Sequence, residues 1–152
     1  IYSRFGFSDV LTMFLALNAS VELYKGGVVP LAEYAQRPYD RDILVRVLVP
    51  KENARFVYQS VRNSQTDFPV LTCAAAKLAD GSIRAAIGAR PGKAVLYTAA
   101  PEAGETAEEF AARFAAEVKA DIKTESNLRG GAEYRRHLAG VLTKRAVCRL
   151  EG

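Results

Sequence analysis

The sequence is poor in the residues on which self-contained catalysis most often depends: one histidine (His137), two cysteines, one methionine and no tryptophan. With a single imidazole, and with Cys73 and Cys148 far apart and outside any CxxC pattern, these residues can assemble neither a zinc centre nor a histidine-based nucleophilic triad. The same two cysteines lack the spacing of an iron–sulfur ligand set and make no disulfide framework. Both stand in apolar surroundings and are expected as small core residues. The patterns GxGxxG, GxxxxGK[ST], HExxH and GxSxG are all absent, so the common dinucleotide, P-loop, metalloprotease and hydrolase signatures are excluded.

A membrane-length apolar run is missing too. The stretch "VLTMFLALNA" is too short to cross a bilayer and follows no basic segment with a small-residue cleavage site, so a cytoplasmic setting is expected. Charge of one sign is also missing: a net +4, with acids and bases mixed along the chain, gives little reason to expect nucleic acid or an anionic membrane as partner. What is present is the balance of a globular protein, 49% apolar and 25% charged over 152 residues, the length of one ordinary domain and short for two.

The pattern along the chain changes from strands to helices. "SDVLTMFLALNA" is expected to be a short helix capped by Ser8, with Asp9 in its first turn and Asn18 at its exit; its apolar residues run almost all round. "SVELYKGGVVPL" reads as a hairpin turning at Gly26-Gly27. "DILVRVLVP" reads as a strand stopped by Pro50. "KENA" follows as the expected boundary between two units, 1–52 and 53–152.

Beyond it, "ARFVYQSVR", "FPVLTCAAAKLA", "SIRAAIGA" and "KAVLYTA" form an expected antiparallel meander with a tight turn at Asp80-Gly81. The alanine-rich run is taken as strand because its flanks are. "TAEE" at Thr106 is a capping box, and Ala107, Phe110, Phe114, Val118 and Ile122 make a helical stripe behind it. A last helix is expected from about Ala132 to Leu150. Tyr134, Leu138, Val141 and Leu142 share one face of it with Arg145 and Arg149, and Arg145 is expected to be partly buried and paired. Strands followed by helices, without βαβ alternation, imply an α+β fold: a small antiparallel β-sheet covered on one face by helices.

Two features carry binding chemistry. The turn "GARPG", 88–92, could expose amides in an anion-holding nest beside Arg90, although Pro and Gly there also make an ordinary turn. The basic stretch "ESNLRGGAEYRRHLAGVLTKRA" permits an alternative reading of the whole chain: a non-enzymatic module whose C-terminal helix binds nucleic acid or an acidic partner.

Taken in order, "SDVLTMFLALNASVEL", "VVPLAEY", "RDILVRVLVP", "YQSVR", "TDFPVLTCAAA", "AIGARPGKAV" and "LRGGAEYRRHLAGVLTKRA" resemble the second half of the flavin-binding (medium) subunit of the molybdenum hydroxylases, the xanthine dehydrogenase and carbon monoxide dehydrogenase group. The resemblance implies that residues 1–52 are the trailing end of a FAD-binding α+β domain and 53–152 its C-terminal α+β domain. It also implies electron relay from iron–sulfur clusters through FAD to NAD+ or another acceptor. The molybdopterin and 2Fe-2S centres would sit on partner subunits, and the chain alone would be inactive. No catalytic residue or metal ligand follows. Three FAD contacts do: Asp9 through its carboxylate, Leu44 through backbone and apolar side chain, and Arg62 as a cation where relatives often carry lysine. The glycine-rich flavin loops of such subunits are not in these residues, so FAD binding is expected to be weak or absent.

Overall fold

The computed structural model describes residues 1–51 and 55–152. The boundary expected between residues 52 and 53 lies outside the described residues.

The first helix, α1 (Asp9–Ala16), starts as the sequence requires: Ser8 Oγ accepts from the Leu11 N–H at 3.2 Å. Asn18, at φ 54°, then turns the chain out of the helix in the left-handed conformation that Asn tolerates. Strands β1 (Ser20–Leu23) and β2 (Gly27–Pro30) pair antiparallel around Gly27, whose φ of 66° suits a residue without Cβ. A short helix α2 (Leu31–Gln36) follows, and β3 (Leu44–Leu48) returns to the other side of β1, giving a three-stranded sheet in the order β2-β1-β3. Helix α2 is not evident in the sequence, because six residues after a proline carry too little periodicity to mark one.

The second sheet is the expected meander of β4 (Arg55–Val61), β5 (Leu71–Lys77), β6 (Ile83–Gly88) and β7 (Val95–Ala99), antiparallel throughout. Asp80-Gly81 makes the β5–β6 turn, with Gly81 at φ 84° and Asp80 Oδ1 accepting from the Ser82 N–H at 2.9 Å. Over it lie α3 (Ala107–Asp121), begun by the Thr106–Glu109 capping box, and α4 (Ala132–Glu151).

The alanine run is a strand, and the two-residue period of β structure explains its composition. Leu71, Cys73 and Ala75 of β5, with Ile83, Ala85 and Ile87 of β6, face Phe110, Phe114, Val118, Leu138, Leu142 and Val147 of α3 and α4. The alternate residues Ala74 and Ala86 face Leu11 and Leu15 of α1. Both faces of these central strands are therefore covered, α3 and α4 on one side as expected and α1 on the other. A helix that crosses a sheet this closely needs small side chains beneath it, which Ala74, Ala86 and Gly88 provide. The nearly all-round apolarity of α1 has the same origin: it is wedged between its own small sheet and the larger one.

Three expectations fail in detail. Ala107 is exposed, and Ala111 and Ala115 fill the α3 interface instead, since the stripe slants across the helix. Cys148 is exposed, because the inward side of α4 is taken by its neighbours Ala146, Val147 and Leu150; Cys73 is buried, and burial pushes its thiol up to about 12. Arg145 is exposed and forms no ion pair among the described residues. The buried arginine of α4 is Arg135, the first arginine of the "YRR" segment.

Candidate functional site

The capped start of α1 fixes Asp9 in the first turn, on the side facing β4. Its carboxylate accepts from Tyr58 Oη at 2.6 Å and pairs with the Arg62 guanidinium. Two of the three residues implied as FAD contacts, far apart in sequence, thus meet in one ion pair. Arg62 Nη1 continues to the Asp67 carbonyl at 2.7 Å, and the Asp67 carboxylate receives Arg129 Nε at 3.0 Å and Nη2 at 2.7 Å. Arg129 holds the Asp67 carboxyl below its ordinary range, with the Phe68 N–H assisting. A charged band thereby runs from α1, across the β4–β5 connection, to the loop before α4.

Leu44 does not join this band. It is half-buried in β3 opposite Leu23, beside a shallow hollow of ≈ 350 Å³ formed with Ile1, Tyr2, Asp42 and Ile43.

The band borders a cleft of ≈ 380 Å³ lined by Phe7, Phe68, Pro69, Pro91, Asn127 and Arg129 with the glycines of the adjoining turns. Phe7 and Phe68 pack at 4.6 Å between ring centroids, Phe5 stacks on Phe7 at 5.1 Å, and the Arg129 guanidinium lies 5.2 Å from the Phe68 ring centre. Phe7 remains 40% exposed and Phe68 53%, so apolar faces are open beside fixed charge. Such a surface suits a flat, conjugated ligand bearing polar edges.

The "GARPG" turn forms the far wall, with Ala89 at φ 59° and its N–H donating to the Gly6 carbonyl at 2.6 Å. Arg90 is not aimed at an anion: its guanidinium donates to the carbonyls of Lys93 and Lys123, each at 2.7 Å, which fixes the turn and favours the ordinary-turn reading.

Sequence reasoning did not find Phe7, Phe68, Asn127, Arg129 or Arg135 as site residues. Only the "LRGG" and "YRR" segments signalled the last two. Arg135 is fully buried and donates to the carbonyls of Val70 (2.9 Å), Glu125 (2.6 Å) and Gly130 (2.6 Å) and to Asn127 Oδ1 (2.6 Å). It ties the loop that carries Asn127 and Arg129 to the start of β5.

Tyr58 gives the site a measurable signature. Burial, followed by its hydrogen bond to Asp9, pushes the phenol up to about 12. The stabilisation from neutral Tyr58 is whole below the free phenol value of about 10 and is lost as pH rises through the folded value of about 12. Asp9→Asn should bring the Tyr58 ionisation back toward the free value while burial keeps part of the shift. Phenolate absorbance against pH, corrected with Tyr58→Phe, reads it, and an unchanged midpoint would remove Asp9 from the account.

The fold has counterparts among solved structures. Superposition on solved structures aligns nearly the whole chain with carbon monoxide dehydrogenase from Hydrogenophaga pseudoflava lacking the Mo-pyranopterin moiety, at TM-score 0.80 and 22% identity, over 98% of this chain and 58% of that one. Reconstituted CO dehydrogenase from Oligotropha carboxidovorans aligns at 0.78 and 20%, over 99% and 58%. Quinoline 2-oxidoreductase from Pseudomonas putida 86 aligns at 0.77 and 18%, over 97% and 57%. The chain thus spans less than three-fifths of the length of these solved relatives. By sequence, residues 56–150 match the family described as CO dehydrogenase flavoprotein C-terminal domain. The chain belongs to that family. No curated protein matches it.

Proposed function

We propose that this chain forms part of the FAD-carrying subunit of a molybdenum hydroxylase of the xanthine dehydrogenase and CO dehydrogenase type. In this reading it relays electrons from iron–sulfur clusters through FAD to NAD+ or another acceptor. A molybdopterin subunit and a 2Fe-2S subunit are its partners, and the chain has no redox chemistry of its own. The observation that carries the reading is the meeting of Asp9 and Arg62 beside an open aromatic cleft.

The residues present suit one side of a flavin. Phe7 and Phe68 offer apolar faces, Arg62 and Arg129 offer cationic edges, and Asp9 has acceptor capacity for hydroxyls once Tyr58 and Arg62 share it. Bound FAD would supply the two-electron to one-electron interchange that no side chain here can perform. The protein's own part is to orient it, to shield one face from water and to hold Asp9 and Arg62 in one ion pair. Leu44, outside the cleft, contributes only if the ligand extends along β3.

FAD titrated into the 152-residue chain, followed by flavin fluorescence, tests the reading. Binding is expected to be weak, and Arg62→Ala or Phe68→Ala should weaken it about tenfold, the loss of about 1.4 kcal/mol in a charge-assisted or stacking contact. Tight stoichiometric binding would refute the claim that the glycine loops are required. Weak binding indifferent to Asp9, Arg62 and Phe68 would refute the cleft.

A further inference from the structure

The outward side of α4 lies open among the described residues and carries one apolar stripe, the seam of the face. Tyr134, Val141 and Cys148 recur at seven-residue intervals, which lines them up along the helix as the a positions of a coiled coil are lined up. Tyr134 is 49% exposed, Cys148 is exposed and Val141 is half-buried. The inward side is already used, since Leu138, Leu142, Ala146, Val147 and Leu150 pack in the main core. Beside the seam runs a shallow groove of ≈ 410 Å³ lined by Val141, Lys144, Arg145, Cys148 and Arg149.

The flanks are cationic. Lys144, Arg145 and Arg149 are exposed beside the stripe together with His137, and the exposed acid of the helix is Glu133 at its start. None of these three cations makes an ion pair among the described residues.

We propose that this face docks an amphipathic helix of a partner protein, with apolar residues at heptad spacing and glutamates or aspartates on both flanks. The straight stripe along the helix axis selects an elongated partner, and a helix laid alongside α4 matches its length and direction. The flanks select its charge, because acids at the edge complement Lys144 and Arg145 while excluding cationic competitors. Nucleic acid fits less well: phosphates would meet the cations but leave Val141 and Cys148 against a polar backbone, and among the described residues Tyr134 is the only exposed aromatic on the face for stacking. A second copy of the same face would set Lys144 and Arg145 against their own equivalents and repel. The inference does not depend on the flavin reading, and the cleft lies elsewhere.

The test uses the full chain and a synthetic helical peptide with leucines at the a and d positions and glutamates at e and g. A scrambled peptide of the same composition and a double-stranded DNA oligonucleotide serve as competitors. By fluorescence anisotropy the patterned peptide is expected to bind at least about tenfold tighter than the scrambled one. Val141→Asp and the pair Lys144→Glu with Arg145→Glu should each weaken it about tenfold. A peptide with lysine in place of glutamate should recover binding to the charge-reversed pair. The bound peptide should also protect Cys148 from maleimide, a clean readout because the buried thiol of Cys73 is pushed up to about 12 and stays unreactive. Circular dichroism checks that these variants fold. Equal binding of the scrambled peptide, preference for DNA, self-association through this face, or no saturation by the patterned peptide would each overturn the proposal.

Discussion

Arg135→Ala should lower the unfolding free energy by about 3–5 kcal/mol, far more than any surface charge in the chain could. The side chain has no exposure, yet all its hydrogen bonds end on neutral oxygens: three backbone carbonyls and the Asn127 amide. Burial lowers the proton affinity of the guanidinium and the Arg129 charge lowers it further, so the acceptors are what keep the cation in place. Truncation removes four hydrogen bonds at once, empties the space of a large buried side chain and takes its Arg135 donor from the buried Val70 carbonyl, so the energy lost is packing and desolvation rather than a lost ion pair. Arg135→Lys should recover little, because an ammonium presents its donors as a compact point and cannot reach four acceptors arranged around a planar fork. Urea unfolding followed by circular dichroism measures the loss, with the slope expected to stay constant. A loss below about 1 kcal/mol, the ordinary value for one exposed polar group, would show that the loop 125–130 holds its shape without the strut. The same variant should loosen Arg129 from Asp67 and weaken FAD binding at the cleft, so stability and binding are expected to fall together.

The strands and long helices of this fold were legible because each is written in a local code. The Thr106 capping box and the Asp80-Gly81 turn need only a few neighbouring residues to be read, the alanine-rich run is taken as strand from its flanks, and all three stand as expected. What was not legible depends on which elements pack together. A helical wheel for α4 placed Arg145 beside Leu138 and Leu142, but the wheel does not say which side meets the sheet. Contact with β4, β5 and α3 rotates the core side toward Arg135, Ala139 and Ala146 and leaves Arg145 in water. Asp9 and Arg62 were reached through family resemblance, each alone. That they neutralise one another is a property of α1 lying across β5 and β6, which neither local segment encodes. The aromatic cleft was invisible for the same reason: Phe7 precedes a helix and Phe68 follows a strand, and only the fold sets their rings together.

Gly6→Ala should destabilise the protein by about 1–3 kcal/mol and distort the cleft, by a steric route unrelated to backbone freedom. A Cβ at this position would lie 1.8 Å from the Gly92 carbonyl oxygen and 2.8 Å from its carbon. The obstacle is backbone on both sides, so no rotamer relieves it; either residues 5–7 or the "GARPG" turn must move. Movement breaks the 2.6 Å hydrogen bond from the Ala89 N–H to the Gly6 carbonyl and separates Phe7 from the wall it faces. Gly27→Ala is the matched control. Nothing lies within 4 Å of a Cβ there, but φ is +66°, so the cost is the left-handed strain of about 1–2 kcal/mol for an L side chain. The two variants should therefore melt at similarly lowered temperatures and differ in ligand behaviour. Gly6→Ala weakens FAD binding, whereas Gly27→Ala, at a hairpin outside the cleft lining, leaves it unchanged. If both variants bind FAD like the parent chain, the contact between the Phe5–Phe7 segment and the Ala89–Gly92 turn supports the fold alone and the flavin seat must be sought along β3, beside Leu44.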